Sequence, residues 1–413
     1  MTIEVVLLKI KRLFAFIIIV LFVWIPNVYA LEFNITSDYV ILYNLNDDKV
    51  LYELDSEKQA QIASLTKIMT AIVGIENSKD LNKEVVITKD IFKGIDDYTV
   101  VGFQVGNKVT IKDLLYGTML PSGADAVNAL AIDVGGSIDG FVKLMNQKAQ
   151  ELGLKNTHFD NPIGMDSENN YSTAHDVATL LKYCLKNDTF KEIFMARTYT
   201  IPSIHKEIKS TLIGYSRSYG LVITDITGAK SGFTDGAGLC LASTATIDDV
   251  NYLLVTMNAD TKMRSNAVHD TLEIYDYFSS NYGYQKIIKK DQKFRTIPIK
   301  WGKVDNYDIK ARDDVSLYLS NVIRKNRIKY VYEGVEELNY KLKKGDKLGT
   351  VKVIYDEDVL TTYDVYLNQD IEYYHPVLYA IIAISAVMML LSIEAMVIKK
   401  KKRKKRKKRN LNK

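Results

Sequence analysis

The stretch PVLYAIIAISAVMMLLSIEAMVI, residues 376–398, restricts this chain more than any other: 23 residues carry a single charge, Glu394. In hydrocarbon no water satisfies backbone N–H and C=O groups, so such a run has to be helical. As a helix it would reach about 35 Å, at ~1.5 Å per residue, enough to cross a bilayer core. The residues behind it, KKKKRKKRKKRNLNK, hold 12 Lys and Arg and no acid, a tail expected to stay cytoplasmic and attract anionic lipid. Glu394 lies toward that basic end, where it can reach the interface or pair with a lysine. At the other terminus Lys9, Lys11 and Arg12 precede LFAFIIIVLFVWI and a small residue, Ala30. That is the layout of a secretory signal peptide over 1–30, cleaved after NVYA; an uncleaved anchor is the competing reading. The body is therefore expected on the extracellular face, tethered by a span over 375–398 with a cytoplasmic tail over 399–413.

Charge sharpens this placement. The whole chain is +5, yet residues 31–398 hold 40 basic against 49 acidic side chains. An acidic body argues against a broad nucleic-acid surface. A chain of 413 residues, 47% hydrophobic and 25% charged, is globular and long enough for two or three domains. Cys184 and Cys240 are too few for a disulfide framework and read as small buried side chains. None of the five histidines has a partner at zinc-ligand spacing, and His158 with Asp160 reads as loop chemistry. No metal or other cofactor is expected.

Periodicity lays out the body. DYVILYNLNDDKVLYELDSEKQ alternates around a turn, predicting a β-hairpin. In QIASLTKIMTAIVGIEN, residues 61–77, Ile62, Leu65, Ile68, Met69, Ile72 and Val73 keep a helical period and are assigned to the core. Four further helical patterns follow: TIKDLLYGTML, ADAVNALAIDV, IDGFVKLMNQKAQELG and STAHDVATLLKYCLK. Strands return over about 222–257 around Asp235-Gly236, and a last helix covers about 262–280. This order predicts an α+β fold, an antiparallel sheet faced by helices from both chain ends. Residues 31–281 would form that domain. Short β-rich runs such as FRTIPIKWG, KYVYEG and KLGTVKVIY mark a separate small all-β domain over 282–372, read as a spacer rather than a partner-binding module.

Three short elements carry the chemistry. Ser64 and Lys67 in SLTK are three apart, so hydroxyl and amine share a helix face. Alone, an N-cap serine followed by a solvated lysine explains that pair better. Ser122 opens a helix in LPSGADA, however, and GAKSGFTDGAG puts Lys230, Ser231 and Gly232 on a strand; the ordered trio is a strong signal. A serine hydroxyl attacks only when a base takes its proton, and a lysine is such a base only when desolvated or crowded by another cation. Lys230 could be that cation for Lys67, and Ser122 could pass a proton to a leaving amine. The N–H of Ser64 and the strand N–H of Phe233 suit an oxyanion. Gly232 leaves room for a peptide to lie along the strand edge as an added strand.

With these motifs the sequence resembles the low-molecular-mass penicillin-binding proteins, the serine-type D-alanyl-D-alanine carboxypeptidases of the S11 peptidase class. The likeness extends to NPIGMDSENNYSTAHDVATLL and GAKSGFTDGAGLCLASTA, and to the order of signal peptide, transpeptidase-like domain, β domain and C-terminal anchor. It implies a transpeptidase/β-lactamase-like fold with a helical subdomain, and removal of the terminal D-alanine from peptidoglycan stem peptides. It also implies acylation by β-lactams, with Ser64 as nucleophile, Lys67 as base and Ser122 as relay. Lys230 and Ser231 would hold the substrate carboxylate, helped by Arg264 in TKMRSNAVHD, whose bland alternative is a solvated helix arginine. Two departures stand out. The usual S-x-N reads Ser122, Gly123, Ala124, which removes an amide that touches lysine and substrate; Asp125 suits a helix first turn rather than that role. Ser231 replaces the usual threonine and keeps the hydroxyl. LIGYSRSYGLVITDIT matches the family poorly. The competing function is a degenerate wall-anchored penicillin-binding module, weakened by Ala124. A β-lactamase shares the trio, but the β domain, the anchor and the lack of a recognisable deacylating glutamate loop argue against one.

Overall fold

The structure, a computed structural model, describes residues 33–374 and 376–411; the expected signal peptide lies outside the described residues. The chain divides into two compact units, the first ending at Ser280 and the second beginning at Asn281.

The first unit opens with the expected hairpin, β1 (Tyr39–Asn44) and β2 (Lys49–Leu54). Two short hairpins follow within the helical region: β3 (Glu84–Val86) with β4 (Lys108–Thr110), and β5 (Thr198–Ile201) with β6 (Lys206–Lys209). β7 (Ile226–Thr234), β8 (Gly238–Ile247) and β9 (Val250–Ala259) complete the main sheet. Its order is β2-β1-β9-β8-β7, antiparallel throughout, so the first hairpin closes against the last strand and β7 is left as an edge. β1 and β8 are buried along almost their whole length, which is why YVILYN and GLCLASTA are apolar on both faces instead of alternating.

Eight helices serve this sheet: α1 (Thr66–Asn77), α2 (Ile111–Met119), α3 (Ala124–Gly135), α4 (Ile138–Glu151), α5 (Ala174–Cys184), α6 (Asp188–Met195), α7 (Thr211–Tyr219) and α8 (Asn266–Asn281). Side-chain oxygens cap several starts: Thr110 with Asp113 forms a capping box, and Ser137, Thr173 and Asn187 each accept an N–H of the first turn. α8 covers one sheet face, where the Tyr275 hydroxyl meets Ser243 Oγ at 3.0 Å and its ring lies by Tyr252. Ile41, Tyr43, Leu253, Val255 and Met257 face the opposite way, into the core shared with α1 to α6.

α1 differs from its periodic reading. Thr66 to Gly74 are all buried, so the helix runs through the core and has no solvated face over that stretch. Ile68, Met69, Ile72 and Val73 are at most 1% exposed. Burying each such side chain is worth about 1.5–3 kcal/mol, which fixes α1 as the rigid element of the unit.

The second unit is all-β before its final helix. β10 (Tyr282–Ile288) pairs with β13 (Val315–Ser320), and β11 (Lys293–Pro298) with β12 (Asn306–Lys310). β14 (Ile328–Gly334), β15 (Lys347–Tyr355) and β16 (Asp358–Tyr366) form a third antiparallel sheet. Ile297, Ile309, Leu338, Leu348, Val351, Val365 and Leu367 make its principal core. α9 (Pro376–Leu411) then carries the apolar run, whose side chains from 377 to 398 are all exposed to the surroundings. It is long and apolar enough to cross a membrane. The helix does not stop at 398 but continues through the basic tail, since Lys and Arg are good helix formers and no Gly or Pro interrupts them.

Candidate active site

Ser64 is not an N-cap. It lies in a 3-10 turn, Ala63–Leu65, that leads into α1, and its side chain caps nothing. Ala63 is held at φ +45°, a conformation costly for a residue with a Cβ, and this kink turns Ser64 off the helix axis. Lys67 Nζ donates to Ser64 Oγ at 2.8 Å and to the Ile163 carbonyl at 2.6 Å. Lys230, from β7, donates to Ser122 Oγ at 3.0 Å and to the Ser231 carbonyl at 2.8 Å. Ser122 sits just before α3 at φ +64°, a second strained position. The two hydroxyls are half-buried, whereas Lys67 and Lys230 are 1% and 0% exposed.

Burial without a counter-ion decides the chemistry of these amines. Among the described residues neither lysine has a carboxylate partner; their acceptors are hydroxyls and main-chain carbonyls. Burial drives Lys67 well below the usual lysine range, and the charge of Lys230 adds to the effect. Burial alone brings Lys230 down to about 7. Both amines are pushed toward the neutral form, Lys67 against Ser64 Oγ and Lys230 against Ser122 Oγ.

Two glycines make the assembly possible. Gly232 carries β7 directly beneath the nucleophile turn, and a Cβ there would lie 2.9 Å from Ser64 N. Gly164 has φ +85°, and a Cβ would meet the Ala63 carbonyl at 1.9 Å, so no other residue fits. Asn161 Oδ1 accepts the N–H groups of Gly164 and Met165 at 2.7 and 2.9 Å, and Thr70 Oγ1 donates to the Pro162 carbonyl at 2.7 Å. That clamp delivers the Ile163 carbonyl to Lys67. Asn161 and Gly164 are positioning residues that sequence reasoning did not single out, although NPIG is part of the family-like segment.

The Ala124 departure now has a structural setting. Ala124 is wholly buried beside Ile95, Val127 and Ile163, and its N–H donates to the Thr99 carbonyl. Lys67 is not short of a partner for want of an asparagine amide, because Ile163 supplies one from the main chain. Asp125 turns away from the lysines and accepts the N–H groups of Val101, Gly102, Phe103 and Ala126, stitching the 101–103 segment to the start of α3.

The remaining residues gather on the β7 side. Ser231 is 9% exposed and shares a hydrogen bond of 2.7 Å with Thr211 Oγ1. The Arg264 guanidinium lies 3.7 Å from the Phe233 ring centroid. Arg264 is exposed and precedes α8 in a turn, so it is not a helix arginine. Thr234 Oγ1 and the Gly236 N–H both donate to Asp166, which ties the 161–166 segment to the β7–β8 turn. The cysteines are both free and buried, and among the described residues no cluster of His, Cys, Asp and Glu could hold a metal ion.

Comparisons with known proteins agree on one family. The model of the S11 peptidases, D-alanyl-D-alanine carboxypeptidase, matches residues 27–261, more than half of the chain. That of the penicillin-binding protein 5 C-terminal domain matches residues 282–373. D-alanyl-D-alanine carboxypeptidase DacC of Escherichia coli is 31% identical over 353 residues, which cover 80% of this chain and 84% of that protein. DacF of Bacillus subtilis is 28% identical over 337 residues, covering 80% and 85%. Penicillin-binding protein 5 from Haemophilus influenzae shares the fold, with a TM-score of 0.61 at 23% identity, over 83% of this chain and 99% of that one. The chain belongs to the S11 family of low-molecular-mass penicillin-binding proteins and is a serine-type D-Ala-D-Ala carboxypeptidase.

Proposed function

We propose that this carboxypeptidase removes the terminal D-alanine of peptidoglycan stem pentapeptides through an acyl-enzyme on Ser64. The observation that carries the reading is the buried Lys67 amine, unpaired with any carboxylate among the described residues and 2.8 Å from Ser64 Oγ. Lys67 takes the hydroxyl proton as Ser64 Oγ attacks the carbonyl of the penultimate D-alanine. The N–H groups of Ser64 and Phe233 receive the oxyanion. As the C–N bond breaks, the proton reaches the leaving amine through Ser122, held by Lys230. Ser231 and Arg264 hold the leaving residue's carboxylate. Water then cleaves the ester, its proton returning by the same route to free Ser64.

The geometry favours this over the degenerate alternative, since Lys67 keeps two hydrogen-bond acceptors despite Ala124. β-Lactams, which present a strained amide and a carboxylate in the same relation, acylate Ser64 on this reading. Residues 31–281 act outside the cell, 282–372 form the spacer, α9 anchors the chain by its 375–398 segment, and the 399–413 tail faces the cytoplasm. Incubation with a defined stem pentapeptide and mass analysis of the products tests the reading, with a fluorescent penicillin as probe. Loss of one D-alanine and labelling abolished in Ser64→Ala are expected. Intact protein that neither trims the peptide nor labels would install the degenerate module in its place.

A further inference from the structure

α7 borders the site from a segment, LIGYSRSYG, that carries no family-like motif. Its first residue, Thr211, does two things at once. The Thr211 N–H donates to the Leu120 carbonyl at 3.2 Å, two residues before Ser122. Its Oγ1 sits 2.7 Å from Ser231 Oγ. The start of α7 is pinned in place, because Ser210 Oγ accepts the Leu212 N–H and Leu212 is 1% exposed. Tyr215, one turn on and on the same helix face, brings its phenol toward the same Ser231 hydroxyl. On β7, Phe233 lies two residues beyond Ser231 and so on the same strand face. Its ring supports Arg264, a guanidinium with no carboxylate partner among the described residues.

Counting protons gives the pair a direction. Serine and threonine hydroxyls each own one proton and can accept two bonds, whereas an ionised carboxylate only accepts. With the cleft empty, the Thr211–Ser231 bond can run either way. When a carboxylate arrives beside Arg264, Ser231 can serve it only by giving up its own proton outward, and the Thr211 proton must then point into Ser231. Hydrogen bonds arranged head to tail in this way polarise one another.

We propose that Thr211 is a positioning residue for recognition of the substrate's terminal carboxylate, donating into Ser231 Oγ so that Ser231 donates to the anion, with Tyr215 supporting the same hydroxyl. The proposal rests on the reading that Ser231 and Arg264 hold that carboxylate. It makes α7 a specificity element: ligands ending in a free carboxylate sense it, and ligands without one do not. The chemical steps at Ser64 are untouched.

Two thioesters of the same D-alanyl acyl group test this on the full chain, one with mercaptoacetate and the other with neutral 2-mercaptoethanol as leaving group. For Thr211→Val we expect KM for the mercaptoacetate ester to rise about fivefold, the scale of one hydrogen bond, with kcat within about twofold. The neutral ester should be handled as by the unaltered chain. Tyr215→Phe should shift the same KM by about twofold. Equal losses on both esters would mean that Thr211 merely supports the fold, and no change on either would remove it from recognition; both results overturn the proposal alone. An unaltered chain that binds the two esters equally well, or cleaves neither, overturns the carboxylate reading beneath it.

Discussion

The second unit keeps its paired lysines at the surface, whereas the first, beside surface pairs of the same kind such as Lys83 with Asp133, also buries two lysines without a pair. In the second unit, cations sit at the surface beside carboxylates: Lys286 with Asp314, Lys303 with Glu372, Lys347 with Asp364 and Lys352 with Glu333. Glu372 holds Lys303 above its usual range, the ordinary consequence of a nearby opposite charge. In the first unit, Lys67 and Lys230 are buried with no carboxylate at hand and both are pushed down. Solvated pairs of the first kind contribute little to stability, because water screens both charges. Desolvated amines of the second kind strain the fold and are worth having only for their chemistry. The same residue type therefore decorates the surface of both units and forms a reactive centre in the first, and what separates the two uses is water.

Several substitutions put that contrast to the test. The largest effect is expected from Lys67→Ala. Labelling by a fluorescent penicillin should fall at least about a thousandfold, within the reach of a lost general base, while far-UV circular dichroism stays unchanged. Normal acylation in that variant would strip Lys67 of its role. Gly164→Ala comes next, because its Cβ would collide with the Ala63 carbonyl at a left-handed φ. A destabilisation of about 3 kcal/mol is expected in urea unfolding, together with slower acylation as the Ile163 carbonyl shifts from Lys67.

The pH dependence of stability follows from the depressed lysines. Lys230 titrates near 7 when folded and near 10.4 when unfolded. Between these values the unfolded chain binds more protons, so stability rises with pH, by up to about 1.4 kcal/mol per pH unit for each such group. Urea midpoints should climb from pH 7 to pH 9, and the climb should flatten in Lys230→Met. An identical slope in the variant would place the titration elsewhere. Ala124→Asn should fold and raise turnover of the pentapeptide a few-fold by restoring an amide at the second motif. A steep fall there would show that the packing with Ile95, Val127 and Ile163 has been rebuilt around alanine. The smallest effect belongs to the second unit: Lys303→Ala should leave carboxypeptidase activity unchanged in a direct assay of D-alanine release, its pair with Glu372 being solvated on both sides.

How much of this is legible in the sequence varies with the kind of group involved. Ser64 with Lys67 and Lys230 with Ser231 can be read because side chains announce themselves by spacing, and the order of strands and helices because apolar runs do. The all-round burial of α1 is hidden, since a helix pattern does not reveal how many neighbours will cover it. The Ile163 carbonyl, which answers the missing amide of Ala124, is invisible because every residue has a carbonyl and only the fold selects one. Gly164 looks like any loop glycine until Ala63 is placed against it. α6, α7, β5 and β6 go unread because they are short, and with α7 goes Thr211, whose hydroxyl resembles any helix-start threonine. Periodicity assigns Arg264 to a helix that in fact begins two residues later, at Asn266.

The contrast between the units comes down to two proton affinities, and NMR of the chain carrying isotope-labelled lysine side chains measures them. Two lysine signals should titrate far below the rest, one of them close to pH 7, and each should vanish in turn in Lys67→Met and Lys230→Met. If every lysine instead titrates near the ordinary value of about 10.4, the desolvated amines are charged at neutral pH, and Lys67 has no free pair with which to take the Ser64 proton.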